Sequence, residues 1–303
     1  TFKPTQSGNF EGYIYVYDKN ANCTTAIKVK AIVEKGIQQI IWDPETTILS
    51  ESNDWRDDYT RNAYSNMGLT PITYSMESNE YAHFDENGNL VIDKKGGSVI
   101  IAASQAGNDN FYEASVSKEF EIPIPTFIGG ADDRLWTTPS NWNIKRQPYE
   151  TEEVIVKAEA EINKHIVAPE ITFEAEGSIH ITSKGGLTIG TGGIINAAVD
   201  GSSITIDNTP QGAGFLKVDP STVNKPAKVT INYTTAAYNS GNPRDERWQY
   251  MGAPGRDMNI VADVDKTLIY NWSEQNGWLK YSSDELDPFA GYVFTQNKGT
   301  KDN

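Results

Sequence analysis

Four short apolar stretches, Val154-Ile155-Val156, Ile171-Thr172-Phe173, Leu187-Thr188-Ile189 and Ile204-Thr205-Ile206, begin 17, 16 and 17 residues apart. A triplet of this kind is too small to bury its own apolar side chains. Successive coils stacked on one another bury a continuous inner row that no single coil could bury. A second strand in each coil is marked by Ile162, by Ile179 with Ile181, and by Ile194-Ile195. Glycines at Gly177, Gly185-Gly186, Gly192-Gly193 and Gly201 supply the corners. The spacing predicts a short right-handed parallel β-solenoid of about four coils between residues 150 and about 218.

The rest of the chain reads as strands. Gly12 to Tyr17 alternates aromatic and aliphatic residues, Asp18 to Asn22 makes a polar turn, and Thr24 to Val33 returns, which predicts a β-hairpin. A hairpin alone is marginal in water, so residues 1–34 are expected to be the last strands of a sandwich begun upstream. From Gly36 to Ile124, about seven short strands separated by turn residues predict an immunoglobulin-like sandwich over 35–124. Within it, Asn87-Gly88 suits a tight hairpin turn, and the polar stretch Asn53 to Asn66 is a long loop or a short helix. Pro123-Ile124-Pro125 marks a domain boundary, because proline restricts itself and its predecessor. The solenoid domain is expected over 125–228, and a β-rich cap or tail over 229–303.

Charge and cysteine content narrow the chemistry. With 41 acidic against 26 basic residues the formal net charge is -15, which repels a phosphate backbone and argues against nucleic acid. Cys23 stands alone, so no intramolecular disulfide forms and packing must supply the stability. The sequence contains no apolar run long enough for a membrane helix, and Thr1-Phe2-Lys3-Pro4 reads as the start of a mature or excised piece.

Candidate reactive groups are few. His83, His165 and His180 lack metal-ligand spacing, although His165 and His180, nearly one coil apart, could stack on the solenoid wall. Neither a Gly-x-Ser-x-Gly elbow nor a phosphate-cradling loop occurs. Asp132-Asp133 with Arg134, Asp200, Asp207 and Asp219 are the carboxylates that a solenoid enzyme acting on polysaccharides could use, but sequence cannot bring them together. Asp85 to Asn89 resembles part of a calcium loop and lacks its closing bidentate acid, so a hairpin turn accounts for it better. A structural calcium is the one cofactor weighed; no catalytic or metal-ligating residue is assigned. Trp248, Tyr250, Tyr270, Trp272 and Trp278 crowd the tail, as Trp136 and Trp142 do the start of the solenoid. Such rings either stack on sugars or pack a core, and core and cap packing is the expectation here.

Residues 36–122 resemble a bacterial immunoglobulin-like domain, on Gln39-Ile40-Ile41-Trp42, Leu69 to Tyr74, Phe84 to Leu90, Ser98 to Asn108 and Asn110 to Ala114. Residues 127–294 are similar to the region near the C-terminal end of many exported Bacteroidetes surface proteins. Trp136-Thr137-Thr138-Pro139-Ser140-Asn141-Trp142 matches its opening; Trp248 to Pro254, Tyr270-Asn271-Trp272 with Trp278, and Phe289 to Tyr292 match its later landmarks. The resemblance implies an all-β chain, with immunoglobulin-like β-sandwich modules followed by a short solenoid and a β-rich cap. It further implies an exported, cell-surface location and a non-catalytic structural or adhesive role beside flanking domains of the same polypeptide. A carbohydrate-binding accessory region is the alternative, with glycans or host and cell-surface proteins as partners and the tail aromatics as contacts.

Overall fold

A computed structural model describes residues 5–195, 203–209, 211–219, 221, 229–233, 249–252, 258–259, 267–283, 285–287 and 290–296. The chain is all-β and divides into two compact units, Thr1–Thr126 and Phe127–Asn303. No helix among the described residues is long and apolar enough to cross a membrane.

In the first unit, Gly8–Asp18 pairs antiparallel with Cys23–Val33. Their register puts Phe10, Ile14, Val16, Ile27, Val29 and Ala31 on one face of the ribbon. The other face carries Tyr13, Tyr15 and Tyr17 and the pairing of Glu11 with Lys28 and Lys30, at 2.7 and 3.0 Å. The second part of this unit holds the antiparallel sheet Thr73–Met76, Gly97–Gln105 and Ala114–Ile122, and two short pairs, Ile40–Ile41 with Tyr64–Ser65 and Ala82–Phe84 with Leu90–Ile92. Val99, Ile101 and Ala103 alternate inward with Phe120 and Ile122 against Trp42, Leu49 and Leu90. The polar insert begins with a short helix of the 3-10 kind and continues as turns. A 3-10 turn at Ser52–Asp54, tied by Asp54 to the amides of Ser50 and Glu51, drops Trp55 into the core against Trp42 and Tyr74.

The second unit opens with a β-solenoid of about four turns. Its coil has three strand positions with three parallel stacking ladders, the first and third lying in one sheet through the long strands His165–Phe173 and Gly186–Ile195 and separated there by a register shift, the second in a sheet of its own. Val154–Val156 stacks on Ile171–Phe173, and Ile171 on Ile194. Glu159–Ile162 stacks on Ser178–Ile181, then on Ser203–Thr209, then on Val229–Tyr233. The stretch from His165 to Ala168 stacks on Gly186 to Ile189, then on Phe215–Val218. The four triplets seen in the sequence are therefore not four successive turns of one ladder. Val154 and Ile171 are stacked neighbours, Leu187 belongs to the third ladder and Ile204 to the second. Ile194, read as a second-strand residue, sits on the first ladder.

Alternation along each strand sends Val154, Val156, Ala160, Ile162, Ile166 and Ala168 inward, and their stacked partners repeat the choice. The corners need glycine for a steric reason. A Cβ on Gly177 would lie 2.0 Å from the Val156 carbonyl oxygen, and one on Gly185 2.0 Å from that of Ile162. One coil's turn thus runs directly over the backbone of the coil beneath, where only hydrogen fits.

The first coil is closed from below by the Trp136 to Trp142 segment. Arg134 to Trp136 runs along the outer edge of Glu159–Ile162, with Trp136 N–H donating to the Glu161 carbonyl at 2.9 Å and Glu161 N–H to that of Arg134 at 2.8 Å. Trp136 and Trp142, 2% and 0% exposed, pack edge to face beside Phe127 and plug the apolar interior. Trp142 Nε1 donates to the Trp136 carbonyl at 2.7 Å. Asn141, also fully buried, accepts from Ala131 N–H at 2.6 Å and donates to the Leu135 carbonyl at 2.9 Å and to Asp133 Oδ1 at 3.0 Å. These contacts cover both the edge and the interior that a bare first coil would expose.

Candidate functional site

The tail builds a four-stranded antiparallel sheet in the order Gln249–Gly252, Gly291–Gln296, Thr267–Ser273 and Gly277–Lys280. Cross-strand register decides which residues share a face. Ile269, Tyr292 and Phe294 point to one side, where they pack with Leu286 and Tyr281. Tyr250, Val293 and Tyr270 are aligned across three strands on the other side. Trp272 and Trp278 are directly paired on that same face, and Gly252 is paired with Gly291.

Of the five tail aromatics singled out in the sequence, four therefore gather on one sheet face; Trp248 lies outside the described residues. Tyr250 is 79% exposed, Trp272 56% and Trp278 45%, so core packing does not account for them. Trp136 and Trp142, of similar sequence texture, are the ones that do pack inside. Trp272 and Trp278 meet at 5.2 Å with their planes 68° apart, and Tyr250 lies 6.5 Å from Trp278 at 56°. Together they wall a groove of about 570 Å³ that also borders Gly252, Asn271 and Gly291. A smaller hollow of about 310 Å³ adjoins Tyr250, Tyr270, Trp278 and Val293. A Cβ added to Gly252 or Gly291 would meet nothing within 4 Å, so the absence of side chains there opens the groove down to the backbone.

Chemically the groove offers electron-rich ring faces and the Tyr250 phenol, and no titratable pair lines it among the described residues. Its volume falls within the range of small-ligand pockets. On the packed side, burial, together with hydrogen bonding to Tyr281, pushes the Tyr292 phenol up to about 12. The Tyr292 oxygen accepts the Asp287 N–H at 2.7 Å, which fixes the loop edge beneath the sheet.

The other sequence candidates occupy structural positions. His180 and His165 do not stack: His180 lies on the second ladder between Glu161 and Thr205, His165 on the third beside Gly186. His180 Nε2 is 2.7 Å from Asp207 Oδ2, and Asn232 Nδ2 donates to Asp207 Oδ1 at 3.1 Å. Partial burial opposes ionisation of Asp207, but these two bonds outweigh it and hold the carboxyl below its ordinary range. Asp133 is held low by Thr138, the Leu135 amide and Asn141 within the cap, and Asp219 by Ser221. Asp200 lies outside the described residues. Asp85 accepts the amides of Asn87 and Asn89 at 2.9 and 2.7 Å, closing the hairpin between Ala82–Phe84 and Leu90–Ile92 with Gly88 at φ +78. No group of three or more metal-ligating side chains occurs among the described residues.

Two features escaped the sequence reading. Trp55, inside the acidic insert, is a core residue; only its size, in a segment otherwise polar, hints at it. The glycine pair Gly252 and Gly291 is separated by 39 positions and becomes visible only through strand register. Comparison with protein-family models, with curated proteins and with solved structures found no match to this chain.

Proposed function

We propose that this chain is a non-catalytic structural and adhesive segment of an exported bacterial cell-surface protein, and that the aromatic groove of its tail sheet is the adhesive contact, binding carbohydrate. The likeness to Bacteroidetes surface proteins supports the setting. The observation that carries the binding is the placement of Tyr250, Trp272 and Trp278 outside any core, converging on one groove. The polarised C–H bonds of a sugar ring stack on such electron-rich faces, and hydroxyls at the rim hydrogen-bond its edge. The stacked coil serves as a stiff spacer. We read its winding as right-handed, from the general handedness of parallel β crossovers.

The first unit fits immunoglobulin-like modules in this scheme. The sheet of Thr73–Met76, Gly97–Gln105 and Ala114–Ile122 with its inward alternation supports that assignment for residues 35–124. The ribbon Gly8–Val33 has one largely apolar face, interrupted by Thr25 and Asp18, with Ile14 55% and Ile27 50% exposed. A facing sheet of a second sandwich would cover it.

A glycan array probed with the full chain tests the adhesive reading. Specific retention is expected, and Trp272→Ala or Trp278→Ala should abolish it while circular dichroism and the thermal midpoint stay unchanged. Retention that survives both substitutions would place the contact elsewhere; an array with no binder would leave a spacer alone.

A further inference from the structure

Resting on the carbohydrate reading, the geometry points to recognition of a chain end: we infer that the groove takes a single terminal neutral pyranose and does not grip the interior of a polysaccharide. The three exposed rings stand 5.2 and 6.5 Å apart, within direct ring-contact range, so they form one cluster and not a row of separate platforms. Their planes are inclined at 68° and 56°, so no common flat surface exists along which an extended sugar chain could lie. Rings that touch leave no gap among themselves, so they present one angular wall with room to stack a single sugar ring.

The floor agrees with this. Gly252 and Gly291 face each other across neighbouring strands, and a Cβ on either would project into open space. A sugar ring seated over these glycines can approach the backbone, and a terminal residue, joined on one side only, can do so without the rest of its chain having to follow. The groove volume of about 570 Å³ leaves room for the terminal ring together with the residues joined to it. The protein's net charge of -15 disfavours acidic sugars.

The test uses linear homopolymers of glucose, mannose, galactose, xylose and N-acetylglucosamine, each immobilised intact and after partial acid hydrolysis at equal sugar content. For at least one polymer, retention of the full chain should rise in proportion to the number of chain ends. Gly291→Val fills the floor with a side chain that strands accept readily. It should weaken that retention at least about tenfold while the thermal midpoint holds. Gly252→Val from the opposite strand should do the same, which guards against one variant failing to fold. Retention that ignores chain ends and survives both substitutions overturns end recognition and leaves the adhesive reading standing. If no polymer is retained in either form, while the array of the preceding section still finds a glycan, neutral homopolymer ends are excluded as the ligand; silence in both assays removes the two proposals together.

Discussion

Replacing Asn141 by alanine should loosen one end of the solenoid and leave the other untouched. The fully buried amide closes two backbone bonds, from Ala131 N–H at 2.6 Å and to the Leu135 carbonyl at 2.9 Å. At about 1 kcal/mol net for each, their loss costs about 2 kcal/mol, and leaving the two backbone groups partly dehydrated raises this to about 2–3 kcal/mol. The third bond reaches Asp133, whose exposed carboxylate is readily taken up by water, so it adds nothing to the sum. Each coil touches only its neighbours, so the loss stays local. Hydrogen exchange on the full chain, followed by mass spectrometry of peptides, should show amides of residues 127–145 and 154–162 exchanging roughly 30- to 160-fold faster. Peptides covering Phe215–Val218 should be unchanged. Acceleration spread evenly over every coil, or less than about threefold at the cap, would refute the reasoning.

Ile181→Ala removes a fully buried side chain from the middle of the row Ile162, Ile181, Ile206 and Ile231, and should cost about 2–5 kcal/mol by urea denaturation. Thr205→Ala, on the outward side of the same ladder, should stay within about 0.5 kcal/mol; equal effects would mean that the inward and outward sides are misassigned. Gly177→Ala drives a methyl to 2.0 Å from a carbonyl oxygen and should destabilise by about 1–3 kcal/mol, read from the same denaturation curves, whereas a neutral result would contradict the close approach of coils. Tyr292 titrates near 12 in the folded sheet against an ordinary 10.0, so the stability it contributes is complete below pH 10 and is lost as pH rises from 10 to 12. Tyr292→Phe should flatten that alkaline loss in pH-dependent thermal melts, and an identical profile would refute the linkage.

Much of the solenoid was legible because burial leaves a mark on sequence: isoleucines at alternate positions and glycines where coils cross. The register was not. True stacking steps vary, with 17 and 23 residues from Val154 to Ile171 to Ile194, and 19, 25 and 25 from Ala160 through Ile179 and Ile204 to Val229. The even steps of 17, 16 and 17 came from sampling three different ladders. The bulge opposite Pro169, where Ala168 pairs with Ile189 but Glu170 pairs with Gly193, is one source of the irregularity. The aromatics divided for a similar reason. Trp136 and Trp278 look alike in sequence, and only strand pairing sends one into the cap and the other to the surface. A readable clue was Trp272-Ser273-Glu274-Gln275-Asn276-Gly277-Trp278, where the three-residue turn Glu274 to Asn276 is closed by Gly277 at φ +74 and the two flanking indoles become cross-strand neighbours.

Because the cap seals only the first coil, the number of coils above it is free to vary. Inserting or deleting one coil would change the length of the stack by about 4.8 Å, one strand spacing, while the plug at its base stayed intact. The height of the stack is then set, one strand spacing at a time, by how many coils are repeated, without any change at its base.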